Sequence, residues 1–339
     1  MRRLLAAALS AAVAATACSS TTTLSHRTAA PRPIGTQSSS ASQPASDQPA
    51  NKLAVSTFMR LPVGVSRTVV VPQGAALLVL GGLAPGDTTT ARAWRIDLTG
   101  RKSTAARPLA AAVHDASGAG LGGGAYVFGG GAATTVATVQ QWNASGSHAV
   151  ASLPQPRSDS ASAVTGGTAY VVGGFSGSAM TRDVLATTDG RSFRRVARLP
   201  IGVRYPAVAA VGGAVYVVGG ALATTEGTST GAQTDAVQRV DLSTGRATVI
   251  GRLPAALAHA MAFALGGSLY VAGGRHGAVA TAAIERIDLQ TGRATRVGSL
   301  PRAESDAGVA VADGAAWLVG GEATSPSAPT NTVLRLRVQ

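Results

Sequence analysis

The chain consists of short apolar runs separated by glycine pairs and polar turns, a pattern that predicts β-strands rather than helices. The clearest run is a hexamer ending in two glycines, and it occurs six times: LLVLGG (77–82), AYVFGG (125–130), AYVVGG (169–174), VYVVGG (215–220), LYVAGG (269–274) and AWLVGG (316–321). Successive copies are 48, 44, 46, 54 and 47 residues apart, a spacing typical of propeller blades. The 42 glycines agree with this interpretation, because glycine weakens helix interiors and suits turns.

Each repeat unit contains further strand signals around its hexamer. A run of small apolar residues and a glycine-rich pair precede most hexamers, which predicts a hairpin of two strands. A third strand follows the two glycines, as in AWRIDLTG and IERIDLQTG, and a fourth ends on Leu-Pro, as in VASLP and IGRLP. Four short strands in each of six units predict an all-β fold, a six-bladed β-propeller.

The unit resembles the kelch repeat. The markers of that family are a diglycine after the second strand, an aromatic residue just before it, an acidic residue in the third strand and a tryptophan in the fourth. This sequence has the first three in most units, with Asp97, Asp241 and Asp288 as third-strand acids, and it lacks the fourth. The resemblance covers about residues 53–339. It implies a kelch-like propeller whose binding sites lie around the central channel.

The two ends of the repeat region complement each other. The last unit ends on its third strand, TNTVLRLRV, whereas residues 53–62, LAVSTFMRLP, have the Leu-Pro ending of a fourth strand with no first three strands before them. We therefore expect residues 53–62 to lie beside residues 331–338 and to complete the last blade. This arrangement closes the ring and leaves no unpaired edge.

The first 52 residues differ from the repeat region. MRRLLAAALSAAVAATAC has two arginines, an apolar run and small residues before Cys18, which predicts an export signal over residues 1–17. Ala15 to Cys18 resemble the lipobox of bacterial lipoproteins, which implies a lipidated Cys18 that anchors the protein in a membrane; an ordinary cleavage site after Ala17 is the alternative. Residues 18–52 are rich in Ser, Thr, Pro and Ala, which predicts a disordered tether. We expect the propeller, residues 53–339, to lie outside the cytoplasmic membrane, lipid-anchored or secreted.

Composition narrows the range of partners. Cys18 is the only cysteine, which excludes an internal disulfide. The net charge of +13 comes from 27 Arg and 2 Lys against 16 acidic residues, and it would suit anionic lipids, wall polymers or acidic sugars. The alternative is a compositional bias with charges spread over solvated strands. The predicted export of the protein and the lack of aromatic residues within its basic segments argue against nucleic acid as a ligand. The sequence indicates no oligomeric state.

The candidate site lies in the connections from a fourth strand to the next first strand. They read LPVGVSR, LAAAVHD, LPQPRSD, LPIGVRY, LPAALAH and LPRAESD, and their seventh positions are all polar: Arg67, Asp115, Asp159, Tyr205, His259 and Asp306. Neighbouring candidates, in these connections and in those from second to third strands, are His114, Arg157, Arg204, Glu304, Phe175, Glu226, Arg275, His276 and Glu322.

Such side chains around a channel mouth suit a polar ligand, because arginine pairs with carboxylates and Asp and Tyr bind hydroxyl groups. We expect a binding module for a protein segment or an acidic glycan. One alternative is that the polar residues only form hydrogen bonds with backbone groups at the strand ends and bind no ligand. The other is an enzyme, since exported kelch propellers include sialic acid epimerases; the general acid or base would then come from Asp159, His259, Glu304 and Asp306. The dispersed histidines predict no metal site, and we expect no cofactor.

Overall fold

The computed structural model describes residues 52–222, 231–323 and 328–339. The predicted signal peptide, Cys18, the tether up to residue 51 and Glu226 lie outside the described residues. Within these ranges the chain forms strands and turns. No helix of the described residues is long and apolar enough to cross a membrane.

The fold consists of six four-stranded antiparallel sheets, one for each sequence unit. Strand β1 (Leu53–Arg60) belongs to the last of them. Blade 1 contains β2 (Val69–Gln73), β3 (Ala76–Leu80), β6 (Ala93–Asp97) and β7 (Lys102–Ala106), and a short hairpin of β4 (Leu83–Ala84) and β5 (Thr88–Thr89) lies between its second and third strands. Blade 2 contains β8 (Ser117–Leu121), β9 (Gly124–Phe128), β10 (Thr138–Asn143) and β11 (Gly146–Ser152). Blade 3 contains β12 (Ala161–Thr165), β13 (Thr168–Val172), β14 (Asp183–Thr187) and β15 (Arg194–Arg198).

The remaining blades repeat this order. Blade 4 contains β16 (Ala207–Val211), β17 (Ala214–Val218), β18 (Ala236–Asp241) and β19 (Ala247–Arg252). Blade 5 contains β20 (Met261–Leu265), β21 (Ser268–Ala272), β24 (Ala283–Ile287) and β25 (Ala294–Ser299), with a hairpin of β22 (Arg275–His276) and β23 (Val279–Ala280). Blade 6 contains β26 (Gly308–Ala312), β27 (Ala315–Val319), β28 (Thr332–Val338) and β1. The prediction of a six-bladed propeller is confirmed.

The first strand of each blade is the inner strand, and the inner strands of neighbouring blades lie side by side around the axis. The connections between blades, and those from second to third strands, share one face, which we call the ring face. The turns from first to second strands and from third to fourth strands lie on the opposite face, which we call the turn face.

The ring is closed by β1, as the sequence predicts. β1 pairs antiparallel with β28, from Leu53 opposite Val338 to Arg60 opposite Thr332. Leu53, Phe58 and Leu61 are buried, and the Phe58 ring packs edge-on against Trp317 with 4.8 Å between centroids. The last blade is therefore built from both ends of the propeller sequence.

The glycine pairs allow neighbouring blades to approach closely. All twelve glycines of the six pairs have positive φ, which L side chains rarely adopt. The N–H of the second glycine donates to a carbonyl in the next connection between blades, as from Gly82 to Val113 and from Gly321 to Val65, at 2.8 Å in each case. A Cβ atom on the first glycine would collide with the same carbonyl, as at Gly219 with Leu257.

The hydrophobic core lies between the blades. One cluster joins Phe263 and Tyr270 of blade 5 to Leu318 and Leu334 of blade 6, and comparable clusters lie at the other interfaces. The aromatic residue three positions before the glycines contributes to this packing. The core thus fixes the angle between blades and, with it, the channel mouth.

Candidate functional site

The six residues at the seventh positions form a closed ring of backbone hydrogen bonds, which we call the channel ring. Their φ values lie between 51° and 59°. Each N–H donates to the carbonyl of the preceding member: Arg67 to Asp306 (2.8 Å), Asp115 to Arg67 (3.2 Å), Asp159 to Asp115 (2.8 Å), Tyr205 to Asp159 (2.8 Å), His259 to Tyr205 (3.1 Å) and Asp306 to His259 (3.0 Å). The cycle links all six blades around the axis and brings these side chains together.

The residue before each channel-ring member pairs with the residue after a diglycine. These bridges are Ser66–Leu83, His114–Gly131, Ser158–Phe175, Arg204–Ala221, Ala258–Arg275 and Ser305–Glu322. They draw the start of each second-to-third connection in towards the ring. Arg275 and Glu322, which are far from Arg67 in sequence, reach the channel mouth for this reason.

Arg67 is the centre of an ionic network across the mouth. Its Nε lies 2.9 Å from Glu322 Oε1, and its Nη1 lies 3.2 Å from Asp115 Oδ2. Arg275 pairs with the other Glu322 oxygen at 3.2 Å. Tyr205 reaches over from blade 4, with its hydroxyl 3.4 Å from both Arg67 Nη1 and Asp115 Oδ2. The network spans opposite sides of the ring.

His259 and Asp306 form a close pair beside this network. His259 Nδ1 lies 2.6 Å from Asp306 Oδ1, and the imidazole stacks on the Tyr205 ring with 4.0 Å between centroids. Nε2 is buried and has no hydrogen-bond partner among the described residues. Burial alone would raise the pKa of Asp306, but the His259 and Arg67 side chains hold it below its usual range. The carboxylate can therefore orient the imidazole.

Asp159 and Arg204 form a second buried pair, with Arg204 Nη2 at 2.6 Å from Asp159 Oδ2. Burial and the Asp115 carboxylate raise the pKa of Asp159 to about 7, because together they outweigh the ion pair. The Arg204 guanidinium also lies 4.6 Å from the centroid of the Phe175 ring. Phe175 is only 2% exposed, so the expectation that a ligand reaches this ring is not met in this arrangement.

Three other candidates lie apart from the network, and His114 borders it, with Nε2 3.8 Å from Asp115 Oδ2. Arg157 is fully buried and donates to the carbonyls of Gly173 and Asp183. Glu304 is buried and accepts from Thr330 and Arg302, and burial raises its pKa. His276 is exposed and lies 2.7 Å from the Ala256 carbonyl. His114 is half-buried, with Nδ1 2.9 Å from the Thr89 hydroxyl.

Serines complete the site, and sequence reasoning missed them. Ser66 donates to Glu322 at 3.0 Å and Ser305 to Asp306 at 2.7 Å. Both occupy the sixth position of a connection, directly before a channel-ring residue. That position was the signal that could have identified them.

A cavity of about 170 Å³ lies on the axis, lined by the channel ring and the first residues of the inner strands. Beyond Val70, Ser162 and Val309 it continues as a wider segment of about 330 Å³, lined mainly by small apolar residues. Three arginines and four carboxylates make up the network at the mouth, namely Arg67, Arg204 and Arg275 with Asp115, Asp159, Asp306 and Glu322. Its charges are therefore nearly balanced. In the part of the chain that the structure describes, no three His, Cys, Asp or Glu side chains are grouped to hold a metal.

Comparisons with known proteins bear on the fold. No family model matches the chain, and no curated protein matches it. A solved structure titled "Structure of YjhT" is similar over 84% of this chain and 98% of that one, with a TM-score of 0.72 and 16% identity. At this identity the similarity shows the propeller fold alone. The kelch-repeat and lipoprotein assignments therefore stay predictions.

Proposed function

We propose that the protein is an extracytoplasmic binding module of kelch type that takes a polar ligand at the channel ring. The observation that carries the proposal is that all six polar residues of the channel ring line one axial cavity. Arg204, Arg275 and Glu322 lie behind them and pair with Asp159, Asp306 and Arg67. Side chains that only satisfied strand ends would have no reason to meet across the axis. Tyr205 does so, because it contacts Arg67 and Asp115 from the far side of the ring.

The pairing of the charges favours a protein segment over an acidic glycan. A ligand carboxylate would have to take Arg67 from Asp115 and Glu322, or Arg204 from Asp159. A lysine or arginine of a peptide instead meets four carboxyl groups and three arginines, a small excess of negative charge even with Asp159, whose pKa is about 7, only half ionised at neutral pH. The part of the cavity at the mouth, about 170 Å³, is below the range of whole-ligand pockets, which begins at about 300 Å³. It has room for one inserted side chain, whose end would extend towards the segment of about 330 Å³.

A peptide-display screen on the full chain tests this proposal. We expect enrichment of peptides with a basic residue, and a loss of affinity of about tenfold or more in Asp115→Asn, since a desolvated charge pair contributes substantially to binding. Asp313→Asn is the matched control, because it removes an exposed carboxylate from the turn face. Equal binding by wild type and Asp115→Asn would exclude the channel ring as the binding site.

A sugar-modifying enzyme of the sialic acid epimerase kind is a second candidate. The His259–Asp306 pair favours it, because a carboxylate at 2.6 Å orients an imidazole whose Nε2 has no partner among the described residues. Asp159, with a pKa of about 7, would supply a second proton-transfer group. Turnover of an acidic sugar that His259→Ala abolishes would establish an enzyme. Absence of turnover, together with peptide binding, would exclude it.

The proposal includes the membrane anchor at Cys18. Export followed by acylation predicts that the protein separates with the membrane fraction and incorporates labelled fatty acid. Cys18→Ser should release it into the soluble extracytoplasmic fraction. Membrane association that persists without label would show that Cys18 is not the anchor.

A further inference from the structure

Four arginines occupy equivalent places on the turn face. The hairpins between the third and outer strands of blades 1, 3, 4 and 5 contain Arg101, Arg191, Arg246 and Arg293, each directly after a turn glycine. All four are exposed. The repeat therefore presents a guanidinium at the same point of four blades, away from the channel ring.

The acidic residues of these hairpins form no ion pair with the four arginines. Asp97, Asp189, Asp241 and Asp288 begin the turns, and their carboxylates accept backbone N–H groups of the same turns at 2.7 to 3.2 Å. Within the described ranges none of the four arginines forms an ion pair. The carboxylates are held inside the turns while the guanidinium groups stay outside them.

Two lysines add to the same face. Lys102 opens the outer strand of blade 1 next to Arg101. Lys52 precedes β1, and its carbonyl accepts the N–H of Gln339 at 3.0 Å. Strand β1 therefore begins on the turn face. Asp313, an exposed acid there, is already paired with Arg337 at 3.5 Å.

Several arginines of the ring face contact neighbouring groups. Arg252 pairs with Asp235 at 2.5 Å and Arg302 with Glu304 at 3.2 Å. Arg182 donates to the Leu199 carbonyl at 2.6 Å, and Arg60 donates to Asn331. Among the described residues, the turn face thus has six cations that form no ion pair: Lys52, Arg101, Lys102, Arg191, Arg246 and Arg293.

We propose that the turn face binds the surface of an anionic lipid bilayer, so that the channel ring points away from the membrane. Arginines near an anionic surface are attracted over about one Debye length, roughly 10 Å at 0.1 M salt. Four blades in one plane place their guanidinium groups within such a layer together. The inference does not depend on what binds at the channel ring.

Vesicle co-sedimentation of the full chain carrying Cys18→Ser tests this proposal without a lipid anchor. The probes are vesicles of phosphatidylcholine and vesicles of phosphatidylcholine with phosphatidylglycerol. We expect binding only to the second kind, decreasing as salt is raised. Each arginine near such a surface contributes about fivefold to binding. The variant with Arg101, Arg191, Arg246 and Arg293 all changed to Gln should therefore bind at least about tenfold more weakly.

A charge-matched variant separates the turn face from overall charge. It changes Arg60, Arg92, Arg182 and Arg198 to Gln, which removes four exposed charges at the ring-face ends of third and outer blade strands. We expect it to retain more than half of the vesicle binding. An equal loss in both variants would overturn the proposal in favour of non-directional attraction, and equal binding to both kinds of vesicle would overturn it altogether.

A double variant guards against misfolding. The side chains of Arg246 and Arg293 make no hydrogen bond in the described part of the protein, whereas Arg101 donates to the Phe58 carbonyl and Arg191 to Gln141. Changing Arg246 and Arg293 to Gln should leave the melting temperature unchanged and still weaken vesicle binding by about fivefold or more. Unchanged vesicle binding in this variant would contradict the proposal.

Discussion

Arg157 differs from its counterparts in the other blades. The fifth position of the connection between blades is aliphatic in four cases, Val65, Val113, Val203 and Leu257, and all four side chains are buried. Arg157 is equally buried at 0% exposure, and burial lowers the pKa of its guanidinium to about 10. Its Nη1 donates to two backbone carbonyls, but Nε and Nη2 have no partner in the part of the chain that the structure describes. The position is built for an apolar side chain.

Replacing this arginine should therefore cost little. We expect Arg157→Leu to leave the free energy of unfolding unchanged or to raise it by up to about 2 kcal/mol, since apolar replacement of buried charges is often neutral or stabilising. The reverse change, Val203→Arg, should lower it by about 3 kcal/mol or more. Urea denaturation measures both. A loss above about 2 kcal/mol in Arg157→Leu would show that the two carbonyl contacts outweigh the cost of burying the charge.

Asp159 should make the stability of the protein depend on pH. The folded-state pKa is about 7 and the unfolded value is about 3.9, so the folded protein binds the proton more tightly. This stabilisation is fully present below about pH 4 and is lost as pH rises through about 7. The difference in unfolding free energy between wild type and Asp159→Asn should therefore fall over that range and level off above it. A difference that is constant with pH would contradict the raised pKa.

At the residue scale, the sequence identified the members of the channel ring from their position in the repeat. It did not show which charges would pair, because Arg67 and Glu322 are brought together by the bridge between Ser305 and Glu322. It also did not show that Phe175 would be buried. The residue after a diglycine turns back to pair with Ser158, and the Arg204 guanidinium then covers the ring.

At the scale of elements, the glycine pairs at the ends of the second strands set the spacing between blades. Gly219 has φ of +64°, and a Cβ there would meet the carbonyl of Leu257 in the next blade. Gly212, in the hairpin turn of the same blade, has φ of +58° with nothing within 4 Å of a Cβ. The two glycines share a backbone conformation and differ only in their surroundings.

Alanine substitutions at these two glycines separate strain from collision. Gly212→Ala should lower the free energy of unfolding by about 1 to 2 kcal/mol, the cost of a left-handed L residue. Gly219→Ala carries the same strain and also pushes blades 4 and 5 apart, so we expect a loss at least about 2 kcal/mol larger. Thermal and urea unfolding check both. Equal losses would mean that the neighbouring connection moves away without cost.

Strand β1 is the element on which ring closure depends. Deleting residues 53–62 exposes the free edge of β28 and removes the buried side chains of Leu53, Phe58 and Leu61. We expect the truncated protein to lose more than about 5 kcal/mol of stability, because each fully buried large side chain contributes about 1.5 to 3 kcal/mol, and to aggregate through the open edge. A chain that begins at Lys52 is the control. A truncated protein that melts like this control would contradict closure by β1.

At the scale of the whole molecule, the number of blades and the closure of the ring were predictable because each sequence repeat corresponds to one blade. The hexamer marks each second strand, and the orphan strand at residues 53–62 matches the strand missing after residue 338. The structure adds two cycles of hydrogen bonds between blades, one through the channel ring and one from the second glycines, each with six members. The sequence marks the residues of both cycles but not their hydrogen bonds, because these join backbone groups about 30 to 50 positions apart, and further apart where the ring closes.

These cycles predict that the closed propeller unfolds as one unit. The three tryptophans, Trp94, Trp142 and Trp317, lie in blades 1, 2 and 6, so each can report on a different part of the ring once the other two are changed to Phe. In the closed ring every blade loses two neighbours if it opens. We therefore expect the tryptophan signal of each single-tryptophan variant to change over the same urea range as the far-ultraviolet circular dichroism of that variant.

Opening the ring should allow blade 6 to unfold before the other blades. After deletion of residues 53–62, blade 6 has an incomplete sheet, and the Trp317 signal should change at lower urea than those of Trp94 and Trp142. Hydrogen exchange of β27 and β28 provides an independent measurement of the same event. A Trp317 transition that precedes the others in the intact protein would show that the blades unfold separately even when the ring is closed, and that the two cycles contribute little to its stability.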